Sequence, residues 1–310
     1  MTQVRTAIVF RATGSWYTVR DEASGEQVEC RLRGRIRLSG SRSTNPVVVG
    51  DMVDFEVEPG GEAAITAIHP RRNYIIRRAS NLSKESHIIA ANLDQAVVVA
   101  SLAEPATSYE FIDRVLVTCE AYRIPATVVL NKIDLLERVP QLREEFRSVY
   151  ESAGYTVLEV SATRGDNIQA MRELLNGKTT LVAGNSGVGK SSLIRAVEPG
   201  ADLRTGEVSA SHHKGKHTTT FSQVYTLSGG GYVIDTPGIK GFGLIDFDPR
   251  ELCRYFPEMM RHAPHCRFYN CTHDHEPGCA VAEAVARGEI SQQRYESYLK
   301  MLEQDGKYRQ

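Results

Sequence analysis

The sequence lacks any long apolar run. No segment approaches the roughly 18 consecutive apolar residues that a membrane-spanning helix needs. Residues 1–13 also lack the charged start, apolar stretch and cleavage site of a signal peptide. We therefore expect a cytoplasmic protein with no membrane partner.

Cysteine is scarce, with six residues in a chain of 310. Disulfide frameworks belong mainly to short secreted chains, so we expect these thiols to be reduced. Cys30, Cys119 and Cys253 stand apart from one another in the sequence, and we expect them to be buried core residues.

Neither sign of charge is in excess, since the formal net charge is -1. This balance identifies no partner, and the hydrophobic content of 41% is that of a folded globular protein. A chain of 310 residues is long enough for two or three domains, each with its own core.

Arginine is nevertheless concentrated in the first quarter of the chain. Such clusters attract polyanions, although they also occur on ordinary solvated faces. We treat the first cluster, which contains no acidic residue, as a candidate RNA-binding segment. Its members are Arg31, Arg33, Arg35, Arg37 and Arg42, and a second cluster contains Arg71, Arg72, Arg77 and Arg78.

The first 70 residues show short alternating apolar segments separated by glycine-rich turns. Segments of this kind predict a small all-β barrel, and the number and length of the strands suit an OB-fold, which often binds oligonucleotides. Another small barrel is the alternative. The predicted strands are residues 7–10, 16–19, 28–32, 47–57 and 64–68.

The middle of the chain alternates apolar strands with helical patterns. This alternation predicts an α/β domain, in which helices cover a parallel sheet. The predicted strands are residues 94–101, 126–130, 156–160, 179–183 and 232–234, and the predicted helices are residues 108–122, 140–153, 167–175 and 190–197. Residues 205–220 interrupt the pattern with few apolar anchors, which predicts a loop.

A phosphate-binding loop lies between a predicted strand and a predicted helix, at the spacing G-x-x-x-x-G-K-[ST]. Its backbone N–H groups would surround the phosphates, Lys190 would reach the β- and γ-phosphates, and Ser191 would ligate Mg²⁺. The predicted set is Gly184, Asn185, Ser186, Gly187, Val188, Gly189, Lys190, Ser191 and Ser192.

A second motif, Asp-Thr-Pro-Gly, begins at Asp235 directly after a predicted strand. Ligands of such sheets bind at the carboxyl ends of the strands, so Asp235 would hold Mg²⁺ through water. The Gly238 amide would contact the γ-phosphate. A simple Pro-Gly turn is the alternative.

Two further segments predict that the base is guanine. Asn131, Lys132 and Asp134 follow one predicted strand, and the Asp134 carboxylate can accept two hydrogen bonds that guanine offers and adenine does not. Ser161 and Ala162 follow the next strand, where a backbone group could contact the base.

The C-terminal part contains a C-x4-C-x-H-x5-C cluster formed by Cys266, Cys271, His273 and Cys279. These four ligands predict a closed, structural Zn²⁺ site with one ion per chain. Competing ligands lie nearby at His262, His265 and His275, and a helical domain without metal is the alternative. Residues 280–304 show helical periodicity.

The order of these motifs is unusual, because the base-reading segments precede the phosphate-binding loop. With the barrel before it and the Cys/His cluster after it, the chain resembles the circularly permuted, ribosome small-subunit-dependent GTPases of the RsgA or YjeQ type. The resemblance spans nearly the whole chain. It implies an OB-fold, a permuted GTPase domain and a zinc domain that bind the small ribosomal subunit and its rRNA late in assembly. It also implies that the subunit stimulates hydrolysis of GTP to GDP.

The sequence suggests a partial account of hydrolysis. Many GTPases place a water-orienting Gln after the Asp-x-x-Gly motif, but Ile239 follows Gly238 here. His217 is our candidate for that role, and Thr218 or Thr219 is a candidate Mg²⁺ ligand. The alternative is a basic loop that contacts RNA.

We expect an OB-fold RNA-binding domain at residues 1–72, a permuted GTPase domain at 73–247 and a zinc-binding helical domain at 248–310. A monomer suits a factor that docks onto a large particle. Three other functions remain open: a GTPase coupled to tRNA modification or translation, a nonenzymatic RNA-binding protein, and an ATP-dependent P-loop enzyme.

Overall fold

The computed structural model describes residues 3–13, 15–33, 46–58, 60–78, 86–200, 223–235 and 249–307. The strands are β1 (Arg5–Thr13), β2 (Trp16–Asp21), β3 (Gln27–Leu32), β4 (Met52–Val57), β5 (Ala63–Ile68), β6 (Tyr74–Arg78), β7 (Ser86–Ala91), β8 (Gln95–Ala100), β9 (Ala126–Leu130), β10 (Thr156–Glu159), β11 (Thr179–Ala183), β12 (Gln223–Thr226) and β13 (Tyr232–Asp235). The α-helices are α1 (Tyr109–Ala121), α2 (Pro140–Ala153), α3 (Ile168–Leu175), α4 (Lys190–Val197), α5 (Pro257–Met260), α6 (Ala280–Ala286) and α7 (Gln292–Lys307).

The N-terminal strands form a closed barrel in the order β1-β2-β3-β5-β4. Strands β3 and β5 pair in parallel and the other pairs are antiparallel. Alternate side chains point inwards, so that Val19, Phe55 and Ile65 are fully buried. This topology confirms the predicted OB-fold barrel.

One predicted strand of the barrel is shorter than the sequence indicated. Residues 47–57 were expected to be a single strand, but β4 begins at Met52. The preceding residues turn around the buried Asp51 carboxylate, which accepts the Val48 N–H at 2.8 Å and an Arg71 hydrogen bond at 2.6 Å. The apolar run therefore covers a buried turn as well as a strand.

The arginine-rich connector after the barrel contains an antiparallel ribbon of β6 and β7, which the sequence reading missed. Ile75, Ile76 and Ile88 are buried along this ribbon. The charged residues between them obscured the strand pattern. The ribbon links the barrel to the central domain.

The central domain contains a six-stranded sheet in the order β10-β9-β8-β11-β13-β12. Its strand pairs are parallel except β12 with β13. The predicted strands and helices of this domain are present with bounds that agree to within about a residue, and β12 is an addition. Strand β8 lies in the interior of the sheet and is buried along its full length, as expected for a parallel strand covered on both faces.

The barrel packs against the β12 and β13 edge of the sheet. The Phe10 ring lies edge-on to Tyr232 with centroids 5.3 Å apart, and the Arg20 guanidinium donates to the Thr226 hydroxyl at 2.6 Å. Ile8 and Phe10 consequently belong to the same apolar cluster as the buried residues of the sheet.

The C-terminal part is mostly helical and packs against α1. The helical pattern of residues 280–304 is divided between α6 and α7, since Gly288 between them has a φ of +75°. A single apolar cluster joins Val117 of α1 to Phe256 and Tyr298 of the C-terminal part.

Cys30, Cys119 and Cys253 are buried, as predicted. Within the described ranges, no helix combines the length and apolarity needed to cross a membrane.

Candidate GTP-binding and metal sites

The phosphate-binding loop joins β11 to α4 at the positions the sequence predicted. Gly184, Gly187 and Gly189 have φ values of +157°, +84° and +93°. A Cβ atom at Gly184 would lie 2.5 Å from the Val99 carbonyl oxygen, and one at Gly189 would overlap the Asn131 side-chain amide. Only glycine fits these two positions without displacing a neighbour.

Lys190 begins α4 and is 9% exposed. Its ammonium group donates to the carbonyl oxygens of Gly184 at 2.7 Å and Asn185 at 3.0 Å. Burial lowers the pKa of Lys190, and the negative charge of Asp235 opposes this shift. The ammonium group therefore lies against the loop, where it can donate to phosphate oxygens.

Asp235 ends β13, which pairs with β11 in parallel. The register places Asp235 beside Val182, close to the start of the phosphate-binding loop. Ser191 and Ser192 are exposed in the first turn of α4. A carboxylate and a hydroxyl thus lie at the same edge of the sheet.

The segment predicted to contact the base leaves β9 through a short 3-10 helix at Ile133–Leu136. The Ser161 hydroxyl donates to the Asp134 carboxylate at 2.6 Å, which brings the two predicted base-contacting segments together. Lys132 has a φ of +66°, and its ammonium group donates to the Glu104 carbonyl at 2.5 Å. The loop between β8 and α1 therefore borders the same site.

Asn131 holds three loops in one arrangement. Its side-chain amide donates to the Val188 carbonyl at 2.9 Å, and its side-chain oxygen accepts the Ala162 N–H at 3.1 Å. Asn131 is 1% exposed. The sequence reading assigned Asn131 to the base, whereas the structure shows that its amide also fixes the phosphate-binding loop.

Several predicted residues lie outside the described residues. These are His217, Thr218, Thr219, Gly238, Arg35, Arg37 and Arg42. Of the remaining candidate RNA contacts, Arg31 lies over the exposed Trp16 ring at 4.1 Å from its centroid, and Arg33 pairs with Glu56 at 2.8 Å. Arg31 and Trp16 thus place a cation and an aromatic ring side by side. The positive charge of Arg33 is partly balanced by Glu56.

The Cys/His cluster forms one compact group. The ligand atoms of Cys266, Cys271, His273 and Cys279 all lie within 4.8 Å of one another. The Nδ1 atom of His273 is 3.6 Å from the Cys266 sulfur and 3.5 Å from the Cys279 sulfur, and those two sulfurs are 4.0 Å apart. Tetrahedral zinc requires about 3.5 Å for nitrogen to sulfur and about 3.8 Å between sulfurs. The donor set and its spacing fit Zn²⁺.

Hydrogen bonds from the C-terminal helices support this cluster. The Tyr295 hydroxyl donates to the His273 carbonyl and the Tyr298 hydroxyl to the Thr272 carbonyl, both at 2.6 Å. The Ala282 N–H donates to the Cys279 sulfur at 3.4 Å. These contacts orient the ligands, a function that the sequence pattern did not reveal.

Comparison with protein families identifies the chain. Residues 68–245 match the family model described as RsgA GTPase, and residues 6–65 match the RsgA N-terminal domain. The chain belongs to the RsgA GTPase family. It is therefore a GTP hydrolase.

Curated relatives from the family cover nearly the full length. The chain is 51% identical over 306 residues to "Small ribosomal subunit biogenesis GTPase RsgA 2" of Bacteroides thetaiotaomicron, covering 97% of this chain and 98% of that protein. It is 53% identical over 304 residues to the small ribosomal subunit biogenesis GTPase RsgA of Porphyromonas gingivalis, covering 96% of each chain.

Two solved structures share the whole fold. YjeQ from Thermotoga maritima superposes with a TM-score of 0.78 at 35% identity, covering 97% of this chain and 98% of that chain. YloQ, described as a circularly permuted GTPase, gives a TM-score of 0.74 at 30% identity, covering 99% of this chain and 96% of that chain. The permuted order inferred from the motifs is thus a property of this fold.

Proposed function

We propose that this GTPase binds the small ribosomal subunit and acts in its late maturation, with GTP turnover stimulated by the subunit. The observation that carries this proposal is full-length similarity to relatives named for small-subunit biogenesis, at about 50% identity. The convergence of Asp134, Ser161 and the phosphate-binding loop supports the GTPase part of the proposal.

In the proposed complex, Asp134 accepts hydrogen bonds from guanine, with Asn131, Lys132, Ser161 and Ala162 completing the base site. The loop residues Gly184, Asn185, Ser186, Gly187, Val188, Gly189, Lys190, Ser191 and Ser192 hold the phosphates, and Gly238 contacts the γ-phosphate. A GTPase uses Mg²⁺ with its nucleotide. Ser191 and Thr218 or Thr219 ligate this ion, and Asp235 contacts it through water.

The catalytic group is proposed from chemistry alone. With Ile239 in place of a water-orienting Gln, His217 orients the attacking water once the subunit is bound. Replacement of His217 by Ala should abolish subunit-stimulated turnover and preserve GTP affinity.

The proposed RNA contact is the barrel. Arg31 and Trp16 form an exposed cation and ring pair suited to phosphate and base. Arg33, Arg35, Arg37 and Arg42 extend the same basic segment. Association with rRNA implies a cytoplasmic protein, and we propose that it acts as a monomer with domains at residues 1–72, 73–247 and 248–310.

We propose that one structural Zn²⁺ ion occupies the Cys266, Cys271, His273 and Cys279 cluster. Four protein ligands leave no open position for substrate, so the ion would stabilise the fold and supply no catalytic group. Binding of such an ion would add to the stability that the apolar cluster gives this helical part.

The decisive experiment is GTP turnover by the purified chain, measured alone, with small subunits and with large subunits. We expect stimulation by small subunits and a basal rate with large subunits. Equal rates in all three reactions would reject the role in subunit maturation. In a fourth reaction with tRNA, stimulation by tRNA and not by small subunits would support coupling to tRNA modification or translation.

A further inference from the structure

A groove of about 530 Å³ lies where the β6 ribbon meets the end of α1. Its volume is within the range of roughly 300–1,000 Å³ found for small-molecule sites. The lining residues that matter for its chemistry are Arg72, Tyr74, Leu93, Asp94, Tyr122 and Arg123.

The groove is separate from the GTP site. Asp94 immediately precedes β8, and Arg123 lies between α1 and β9, so the groove is at the amino ends of these strands. The GTP site is at their carboxyl ends. Six residues of β8 separate the two edges, a distance of about 20 Å.

Two tyrosines form an aromatic wall of the groove. The Tyr74 and Tyr122 rings have centroids 5.3 Å apart and an interplanar angle of 48°. Tyr122 packs against the buried residues of the ribbon, whereas Tyr74 is 38% exposed. Tyr122 therefore holds Tyr74 in place while part of the Tyr74 surface faces solvent, as in a platform for a flat ligand.

Two arginines line the groove, and the charge of one of them, Arg72, is balanced by Asp94. Arg72 donates to the Asp94 carboxylate at 2.6 Å and to the Asn92 carbonyl at 3.2 Å, which fixes its orientation. Arg123 is exposed and forms no ion pair with a carboxylate of the described residues. Its cationic charge remains available to a phosphate group.

We propose that this groove binds an unpaired nucleotide of single-stranded RNA, with the base stacked on Tyr74 and a phosphate beside Arg123. The proposal rests on the part of the proposed function in which the protein meets RNA, and adds a contact remote from the GTP site. A partly open groove with a stacking face and a basic rim accepts any base, so the contact is tolerant of sequence.

The test measures binding of a fluorescently labelled oligoadenylate of about ten nucleotides, a length within known single-strand site sizes. The full chain is saturated with GDP and Mg²⁺, so that the GTP site is filled. We expect Tyr74→Ala to weaken binding by about tenfold, since stacking contributes about 1–3 kcal/mol per base. Tyr74→Phe should bind within about twofold of the original chain, because the ring is retained.

Arg123 supplies an independent readout. It has a φ of +55°, so Arg123→Asn removes the charge and keeps a residue that tolerates this conformation. The slope of log affinity against log salt should decrease by about 0.7 for one lost phosphate contact on a single strand. Arg138→Ala and Tyr269→Ala, both exposed elsewhere, should change neither affinity nor slope.

Unchanged affinity in Tyr74→Ala, or no binding of the oligonucleotide by the original chain, would overturn the proposal. Complete displacement of the oligonucleotide by an equal concentration of free adenosine monophosphate would assign the groove to a free nucleotide. This result would also overturn the proposal. A measurement of subunit-stimulated GTP turnover distinguishes failure of the proposed role in subunit maturation from failure of the proposed RNA contact in the groove. If turnover is not stimulated while oligonucleotide binding depends on Tyr74, the proposed function fails and the groove assignment stands.

Discussion

At the residue scale, the base contact proposed for Asp134 explains how one side chain would set base preference. Its carboxylate already accepts from Ser161 and retains acceptor capacity for the two donors of guanine. Two charge-assisted hydrogen bonds contribute about 3–6 kcal/mol together, so losing both costs at least about 100-fold in affinity.

The corresponding variant is Asp134→Asn. We expect GTP affinity to fall by at least about 100-fold, while xanthosine triphosphate, which carries a carbonyl in place of the guanine amine, gains affinity because Asn can donate to it. Calorimetric titration of the original chain and the variant with both nucleotides measures these two changes in affinity. Undiminished GTP affinity would mean that another group recognises the base.

The lowered pKa of Lys190 should make nucleotide affinity depend on pH. Burial lowers its pKa in the free protein, and bound phosphates raise it, so binding takes up a proton. Nucleotide affinity is therefore greatest below the pKa of Lys190 in the free protein, and it declines as pH rises through that pKa. Because burial lowers this pKa, the decline begins at a lower pH than it would for an exposed lysine.

The matched control for this prediction is Lys190→Arg, because guanidinium stays protonated. GDP affinity should decline with rising pH more steeply in the original chain than in Lys190→Arg. Titration of the guanine ring affects both proteins equally. The difference between their two pH profiles therefore reports the protonation of Lys190 alone. Parallel profiles would contradict the role of Lys190 protonation.

At the element scale, the Cys/His cluster joins the loop before α6 to α7 through Tyr295 and Tyr298. We expect Cys271→Ser to lose stoichiometric zinc and to increase hydrogen exchange in residues 263–290 before the central sheet is affected. Elemental analysis and hydrogen exchange measure these two effects.

Cys253→Ala is the matched control for zinc binding. Cys253 is buried in the same apolar cluster but is not one of the four convergent ligands. This variant should keep one zinc ion per chain. Full zinc content in Cys271→Ser, with unchanged hydrogen exchange, would show that the cluster holds its shape by other means.

The elements differ in how far the sequence determined them. The central elements were predicted because the strands are continuous apolar runs, as in Ala126–Leu130, and the helices show helical apolar spacing between clear start and stop signals, as in Pro140–Ala153. Strands β6, β7 and β12 were missed because they are short or carry arginine and polar residues. Their strand form depends on pairing with neighbours, which a local pattern does not contain.

The sites divide in the same way. The motifs predicted the glycine-rich loop before α4 and the convergence of the four Cys/His side chains, since backbone demands and ligand chemistry fix residue types at short spacing. The hydrogen bond from Asn131 to Val188 joins residues 57 positions apart, and the Glu104 carbonyl reaches Lys132 from another loop. Contacts of this kind require the tertiary fold.

At the scale of the whole molecule, Arg294 connects the C-terminal part to the central domain. It is fully buried and donates to Asp113 of α1 at 2.7 Å and to Glu258 of α5 at 2.7 Å. Its guanidinium also lies 4.7 Å from the Phe256 ring centroid. The sequence reading did not assign Arg294 a role, because arginine is ordinarily an exposed residue.

Arg294→Met should lower the free energy of unfolding by about 3–5 kcal/mol, since it leaves two buried carboxylates without a cation. Urea unfolding measures the loss. Arg254→Met is the control, because the exposed Arg254 and Glu251 pair should contribute less than about 1 kcal/mol. Equal effects of the two variants would show that the Arg294 contacts do not stabilise the junction.

The place of β8 inside the sheet has a consequence for synthesis of the chain. The first strand of the sheet to be translated is an interior one, and β9 and β11, which flank it, are made later. Translation from Asp134 to Asp235 covers 101 positions, which takes about 5–20 s at roughly 5–20 residues per second. A nascent chain therefore carries the segment proposed to contact the base for seconds before Lys190 and Asp235, the proposed phosphate and Mg²⁺ contacts, are synthesised.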